Sequence, residues 1–197
     1  MGHAALENHP LLAEVRSSAP DLGGARTTAA DVVAGDLITS SDDDDARWIS
    51  CAIELATANV ANGGGPFGAV IVARGRLVSR GQNRVTATLD PTAHAEVEAI
   101  RAACRALGDF SLAGATLYTS CEPCPMCQAA ALWARVDRVV FAADRHDAAR
   151  GGFDDREFYE LVTRDRSTWP VAIHAVRPAN STEPFDAWLA NGARTEY

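Results

Sequence analysis

The sequence predicts a three-layer α/β/α domain in which helices cover both faces of a five-stranded mixed sheet. Segments with helical spacing of apolar residues alternate with short β-branched runs along most of the 197 residues. Two adjacent strand-like runs are joined by a tight turn, which predicts an antiparallel hairpin. A later strand, helix and strand follow one another closely, which predicts a parallel pair joined by a right-handed crossover.

The first predicted elements are a helix over Asp42–Asn62 and a hairpin. Ser41 followed by acidic residues is typical of a helix start, and the glycines that follow the helix end it. The strands Ala69–Ala73 and Arg76–Ser79 are joined across Arg74-Gly75, where a single glycine suits a tight turn.

A second helix is predicted to begin at Asp90-Pro91, an acidic cap before a proline, and to end at Gly108. It carries His94 and Glu96, which are two residues apart and would point away from each other on a regular helix. If both serve one site, that site must lie beyond the end of the helix.

The rest of the chain supplies the remaining strands and helices. They are the strand Thr116–Ser120, a helix over Pro125–Ala134, the strand Arg138–Ala142, a polar loop over Asp144–Phe153, a helix over Asp155–Arg164, the strand Val171–Val176 and a helix over Glu183–Asn191.

Charge and composition divide the chain at about residue 41. The net charge is −8, and residues 1–45 hold nine acids against Arg16 and Arg26. We therefore expect residues 1–41 to form an acidic, flexible extension and residues 42–197 to form the domain. The chain contains no lysine, which disfavours a nucleic-acid partner, and no apolar run long enough for a membrane span. Five cysteines, three of them at metal-ligand spacing, favour the cytoplasm.

One cluster carries the chemistry. Cys124 and Cys127, together with His94, are soft ligands that suit Zn²⁺, and three protein ligands leave one tetrahedral position for water. Glu96 lies next to this cluster in sequence, and a carboxylate beside a metal-activated water can accept and return protons. Cys121 is also three residues from Cys124, so a closed structural site with four ligands remains an alternative.

His-x-Glu followed by Pro-Cys-x-x-Cys is the signature of zinc-dependent base deaminases. From about Trp48 to Tyr197 the chain resembles the bacterial guanine deaminases of the cytidine-deaminase superfamily. Beyond the metal ligands, the resemblance is carried by Gly65-Pro66-Phe67-Gly68-Ala69-Val70, Gly81-Gln82-Asn83, Trp133-Ala134-Arg135 and Gly152-Phe153-Asp154-Asp155.

The resemblance implies a cytidine-deaminase-like fold, a small-molecule purine substrate and a base pocket. In this sequence the base-pocket positions of the family correspond to Asn83, Phe67, Ala95 and Trp133. Asp147 and Tyr197 correspond to the groups that recognise guanine. It also implies a homodimer in which the C-terminal tail caps the partner's site, by exchange of the C-terminal segment. Phe67 and Trp133 could equally be core aromatics, and Asn83 could be a turn residue.

The expected activity is zinc-dependent hydrolysis of guanine to xanthine and ammonia, with Glu96 as the catalytic residue. The alternatives are a deaminase of another base, nucleoside or related metabolite, a tRNA adenosine deaminase, and a structural zinc module in which Cys121 is the fourth ligand.

Overall fold

The computed structural model describes residues 42–153 and 155–197. Two predictions, the N-terminal extension and the helix cap at Ser41, lie outside the described residues. So does Asp154 of the motif Gly152-Phe153-Asp154-Asp155. The described helices and strands are α1 Asp42–Ala61, β1 Gly68–Ala73, β2 Arg76–Gln82, α2 Val85–Thr88, α3 Ala95–Leu107, β3 Ala115–Cys121, α4 Pro125–Trp133, β4 Arg138–Ala143, α5 Arg145–Arg150, α6 Asp155–Leu161 and α7 Glu183–Ala190.

The predicted hairpin is confirmed. β1 and β2 pair in antiparallel fashion, and the turn residues Arg74 and Gly75 both have positive φ, at 51° and 69°. Two successive positive φ values define the mirror-image turn whose twist matches that of the flanking strands. The ladder shifts register between Ile71 and Val72, which marks a bulge close to the turn.

The sheet is mixed, as predicted, but in the described residues it has four strands rather than five. Their order is β2-β1-β3-β4, with β1 antiparallel to both neighbours and β3 parallel to β4. The predicted strand Val171–Val176 is wrong, because this segment joins no ladder and its side chains are exposed throughout. β-branched residues favour a strand through packing against neighbours, which this segment lacks here.

Helices pack against both faces of the sheet. Ala69 and Ile71 of β1 belong to a cluster that includes residues of α3 and α4, whereas Val70 and Val72 pack with Trp48 of α1. Alternate residues of a strand point to opposite faces, so α1 lies on one side of the sheet and α3 with α4 on the other.

The acidic start of α1 has a tertiary role that the helix-start pattern did not predict. Asp45 accepts a hydrogen bond from the buried Tyr118 hydroxyl at 2.7 Å and pairs with Arg138 at 2.8 Å. These contacts fasten α1 to β3 and β4, and the guanidinium is partly exposed, which limits the strength of the ion pair.

Two predictions about the segments around the site are wrong. Asp90 does not start a helix: its carboxylate accepts from the backbone N–H of Thr92 at 2.8 Å and closes a turn, and α3 begins at Ala95. The segment after β4 is not only a loop, because Asp144 caps the short helix α5. Both carboxylates bond backbone N–H groups two or three residues ahead, as Asp does in turns and caps.

No helix within residues 42–153 and 155–197 combines the length and apolar character that crossing a bilayer requires.

Candidate functional site

His94 and Glu96 lie at the N-terminus of α3. His94 directly precedes the helix with extended backbone (φ −70°, ψ 155°), and Glu96 is the second residue of the first turn. The two side chains therefore do not have to share one flank of a regular helix, which removes the difficulty posed by their spacing. Glu96 is only 6% exposed, so its carboxyl group is buried.

Close packing holds this helix end against the sheet. A Cβ on Gly81 would lie 2.0 Å from the carbonyl oxygen of Ala95, so only glycine allows β2 to approach α3 here. Ser79, two residues earlier, donates its hydroxyl to the carbonyl of Ala99 at 2.7 Å. The position of the His94 end of α3 is thus fixed by β2 through backbone contact rather than by long side chains.

The N-terminus of α4 supplies the two cysteines. Cys124 precedes the helix, and Pro125 and Cys127 are the first and third residues of its first turn. This arrangement agrees with the predicted start of the helix. Both sulfur atoms are therefore near unpaired backbone N–H groups, which favour the thiolate form that metals require.

The three side chains converge on one point. The Sγ atoms of Cys124 and Cys127 are 3.6 Å apart, and they lie 3.6 Å and 3.5 Å from Nδ1 of His94. Tetrahedral zinc with sulfur at about 2.3 Å and nitrogen at about 2.0 Å separates two sulfurs by roughly 3.8 Å and sulfur from nitrogen by roughly 3.5 Å. The donor set and its spacing therefore fit zinc.

Burial and hydrogen bonding shift the acidity of the groups at this site. Burial raises the pKa of the Glu96 carboxyl to about 7, and a neighbouring negative charge on Cys124 acts in the same direction. The hydrogen bond with Cys127 lowers the pKa of the Cys124 thiol to about 4. The carboxyl of Glu96 can therefore hold or release a proton near neutral pH.

Cys121 does not belong to this group. Its sulfur donates to the carbonyl of Asp144 at 3.6 Å, at the point where β3 and β4 end together. Within residues 42–153 and 155–197, the three donors of His94, Cys124 and Cys127 are the only such cluster. The geometry thus disfavours the closed four-ligand site and favours one with an open position.

Three of the predicted pocket residues lie around the N-terminus of α3. Ala95 is fully buried as the first residue of that helix. Asn83 follows β2 directly, and its backbone N–H donates to the carbonyl of Phe67 at 3.1 Å. The Phe67 ring meets the ring of Phe153 edge-on, with centroids 4.8 Å apart. Asn83 and Phe67 are both partly accessible, as a pocket lining requires.

Trp133 and Tyr197 lie together but at the other end of α4. Trp133 is the last residue of the helix, six residues and about 9 Å of helix rise beyond Cys127. The ring of Tyr197 lies 6.3 Å from that of Trp133, and both side chains are mostly exposed. The structure therefore does not bring these two residues to the metal-ligand candidates.

Asp147 has local partners. Its Oδ2 atom accepts from the backbone N–H of Asp144 at 3.0 Å, and its Oδ1 atom pairs with Arg150 at 2.8 Å. It thereby completes a reciprocal capping box at the start of α5. Its side chain remains 40% exposed.

Sequence reasoning missed two groups near the site. Glu122 forms an ion pair with Arg145 at 2.5 Å, and the Arg145 guanidinium stacks over the ring of Tyr159. The Tyr159 hydroxyl in turn donates to the carbonyl of Pro123, beside the cysteine turn. The second group centres on Asn59, a buried amide in α1. The sequence did contain a signal for Asn59, because it is a polar residue on the helix face that also carries the buried Ala52 and Ala56.

Residues 42–143 match the model of the cytidine and deoxycytidylate deaminase zinc-binding region. This range contains the three metal-ligand candidates and Glu96, and it ends with β4.

Two curated relatives differ in the substrate that their names give. The chain is 47% identical to a guanine deaminase of Bacillus subtilis (strain 168) over 151 residues, which are 76% of this chain and 97% of that protein. It is 35% identical to a tRNA-specific adenosine deaminase of Buchnera aphidicola (subsp. Schizaphis graminum, strain Sg) over 68% of this chain and 86% of the relative.

The crystal structure of guanine deaminase from Bacillus subtilis is similar to this structure with a TM-score of 0.75 and 45% identity. The match covers 77% of this chain and 98% of the other.

Proposed function

Because the chain belongs to the cytidine and deoxycytidylate deaminase family, whose shared region binds zinc, we propose that it hydrolyses guanine to xanthine and ammonia. One observation carries the reaction class: His94, Cys124 and Cys127 converge with zinc-like spacing, and the buried carboxyl of Glu96 lies on the same helix end. Similarity to guanine deaminase over nearly the whole of that protein supports the choice of base.

His94, Cys124 and Cys127 would hold the metal, and zinc bound there would lower the pKa of a water molecule from 15.7 toward about 7. Glu96 accepts a proton from the water molecule while the water oxygen adds to C2 of guanine. Glu96 then delivers that proton to N3, the unprotonated ring nitrogen beside C2. Glu96 then passes the remaining hydroxyl proton to the amino group, the C2–N bond breaks and ammonia leaves. Such proton transfer typically contributes about 10² to 10⁴ in rate.

We assign the base pocket to the residues around this helix end. Asn83 and the first backbone N–H of α3, at Ala95, would bond the purine, and Phe67 would contact its face. Asp147 and Tyr197 would accept from guanine N–H groups. If the bound base covers these groups, adenine leaves them unpaired, and such a pocket rejects the wrong base by about 10⁴ to 10⁵.

Tyr197 enters this pocket most simply from a partner, whereas Trp133 is held at the end of α4 of its own chain. We therefore also propose a homodimer in which the C-terminal segment, residues 155–197, is exchanged between protomers. Its apolar side chains support this, because Phe185 and Leu189 of α7 are 69% and 66% exposed. Soluble monomers rarely expose so many apolar groups in one segment.

The body of the domain offers a complementary surface. An apolar cleft of about 590 Å³ lies between α1 and the ends of β3 and β4; among the residues that line it are Ile53, Ala56, Val60, Pro66, Ala142 and Ala143. Sedimentation equilibrium tests the dimer, and a mass of two chains is expected. A protein that sediments as a single chain and is active in an assay at nanomolar concentration contradicts the dimer.

The remaining assignments complete the proposal. Residues 1–41 form an extension that catalysis does not require, and residues 42–197 form the deaminase domain with its capping tail. We place the protein in the cytoplasm, because Cys124 and Cys127 must stay reduced to bind metal. Proteolysis of the intact protein, read by mass spectrometry, tests the division: cleavage is expected before residue 42.

tRNA adenosine deamination is the second candidate, supported by the 35% identical relative. Charge disfavours it, because the chain has a net charge of −8 and no lysine, whereas binding to a polyanion gains affinity from clustered basic residues.

Ammonia release from the zinc-loaded protein separates the candidates. Guanine, guanosine, adenine, cytosine, cytidine and an adenosine-34 tRNA are compared at equal concentration. Guanine is expected to be turned over fastest, with xanthine as product. Faster turnover of tRNA or of another base overturns the assignment to guanine, and the absence of turnover in every case supports the structural zinc module.

A further inference from the structure

Asn59 is a buried amide that joins three segments next to the proposed base pocket. It lies two residues before the end of α1 and is 4% exposed. Its Nδ2 group donates one hydrogen bond to the carbonyl of Gly65 and another to the carbonyl of Asn83, each at 2.8 Å. Both hydrogens of the amide are therefore used, and both acceptors are backbone carbonyls outside the helix.

Those two carbonyls belong to the two segments that carry the pocket residues. Gly65 lies two residues before Phe67, and Asn83 is itself a proposed contact to the base. A direct hydrogen bond from the Asn83 N–H to the Phe67 carbonyl connects the same segments. Asn59 thus bridges the Phe67 segment and the Asn83 segment, next to the direct bond between them.

The surrounding glycine leaves room for this amide. A Cβ on Gly64 would lie 2.4 Å from Nδ2 of Asn59, well inside any normal contact. The backbone N–H of Gly64 also donates to the Asn59 carbonyl at 2.9 Å. The loop after α1 is therefore wrapped around the Asn59 side chain rather than merely passing near it.

We infer that Asn59 is a positioning residue that fixes the separation of Phe67 and Asn83, and with it the affinity for the purine ring. This inference rests on the proposed function, since it concerns the same pocket. Asn59 does not lie among the metal-ligand candidates, so its effect is on how the base is held rather than on the proton transfer by Glu96.

The test compares Asn59→Ala with Asn62→Ala. Asn62 lies just beyond the same helix and donates its amide only to the carbonyl of Ala58, within that turn. Asn59→Ala is expected to raise KM about tenfold or more while kcat changes less than about threefold and one zinc per chain is retained. Asn62→Ala is expected to change neither constant by more than about twofold.

Two further variants keep the test decisive if Asn59→Ala is poorly folded. Asn59→Asp keeps the shape of the side chain but removes both donors, and Gly64→Ala displaces the amide without removing it. Both are expected to raise KM in the same way. Hydrogen exchange of the backbone amides at residues 83–88 provides a direct readout and is expected to speed up in all three variants.

The outcomes separate the two claims. Kinetics are measured with whichever base or nucleoside the wild type deaminates, so a wild type inactive on guanine overturns only the proposed substrate. A wild-type KM in Asn59→Ala and Gly64→Ala overturns the positioning role. A parallel loss of zinc, kcat and folded protein, with KM unchanged, also overturns it, because the amide then supports the fold alone.

Discussion

The body of the domain and its C-terminal segment are built very differently. Residues 42–153 contain every buried side chain that the structure describes, including the metal-ligand cysteines and Glu96. From residue 156 to 197 every side chain is exposed or partly exposed, although Phe158, Val171 and Phe185 are large and apolar. The body therefore contains the whole group of metal-ligand candidates, whereas the C-terminal segment has no buried core of its own.

The two regions meet at a polar junction beside the cysteine turn, in addition to the contact of Tyr197 with Trp133. The Tyr159 hydroxyl of α6 bonds the carbonyl of Pro123, which also accepts from Gln128 at 3.0 Å. Arg145 lies over the ring of Tyr159 and pairs with Glu122. The metal-ligand candidates and Glu96 thus lie in the body, and these contacts join the C-terminal segment to the residues just before Cys124.

The largest expected effect is in the body, at the metal. Cys124→Ser removes a thiolate ligand, so stoichiometric zinc and activity are both expected to be lost. Cys121→Ser is the matched control, because its sulfur bonds the Asp144 carbonyl instead, and it is expected to keep both. The zinc content per chain is measured by inductively coupled plasma mass spectrometry. Loss of zinc from Cys121→Ser instead supports the closed four-ligand site.

Glu96→Gln tests the proton transfer separately from the metal. Turnover is expected to fall by about 10² to 10⁴ while zinc content and thermal stability remain, because the amide cannot accept a proton. Glu98→Gln changes a carboxylate on the same helix that pairs with the partly exposed Arg101, and it is expected to have little effect. Glu96→Gln with more than a tenth of wild-type kcat contradicts the mechanism.

Asp147→Ala and deletion of Tyr197 test the recognition groups. Each is expected to lower guanine kcat/KM by about 10- to 100-fold, which corresponds to losing a buried hydrogen bond of about 1–3 kcal/mol. Zinc should stay bound. Glu196→Gln, which alters the 77% exposed neighbour of Tyr197, is the control. Full guanine activity in both variants shows that neither Asp147 nor Tyr197 recognises the base.

A mixed dimer shows whether the tail acts on its own protomer or on the partner. A Glu96→Gln chain with an intact tail is coexpressed with a chain that lacks Tyr197, and the mixed dimer is purified by two tags. Exchange of the segment predicts about half of wild-type activity, because one of the two sites is complete. Activity no higher than that of the two parent dimers indicates that the tail caps its own protomer.

Tyr159→Phe tests the junction between the regions and should act more weakly. It removes one hydrogen bond to the Pro123 carbonyl but leaves the one from Gln128. The free energy of unfolding is expected to fall by about 0.5–1.5 kcal/mol, with zinc retained. Urea unfolding measures it, and Thr163→Val, which removes a hydroxyl bonded only within the same segment, serves for comparison. Equal effects of the two changes mean that the junction has no special role.

Deletion of residues 1–40 has the smallest expected effect. The family match begins at residue 42, and the site residues all follow it. Turnover of guanine is expected to stay within about twofold of wild type. A truncated protein that folds and binds zinc but has lost turnover shows that the extension takes part in catalysis.

Two local elements and the donor set could be predicted from the sequence alone. The hairpin at Arg74-Gly75 and the helix starting at Pro125 follow from turn and cap preferences that act over a few residues. The types and spacing of His94, Cys124 and Cys127 were sufficient to predict zinc, because few ions prefer that combination. The resemblance to guanine deaminases is likewise supported by the relatives of the chain.

Tertiary structure decided what depends on residues far apart in the chain. α3 begins at Ala95 rather than Pro91 because Asp90 closes a turn on Thr92. The segment from Val171 to Val176 forms no strand because no strand within residues 42–153 and 155–197 pairs with it. Asn59 acquires its role through carbonyls 6 and 24 residues away. Propensity fixes local backbone conformation, but pairing and burial depend on which distant segments the fold brings into contact.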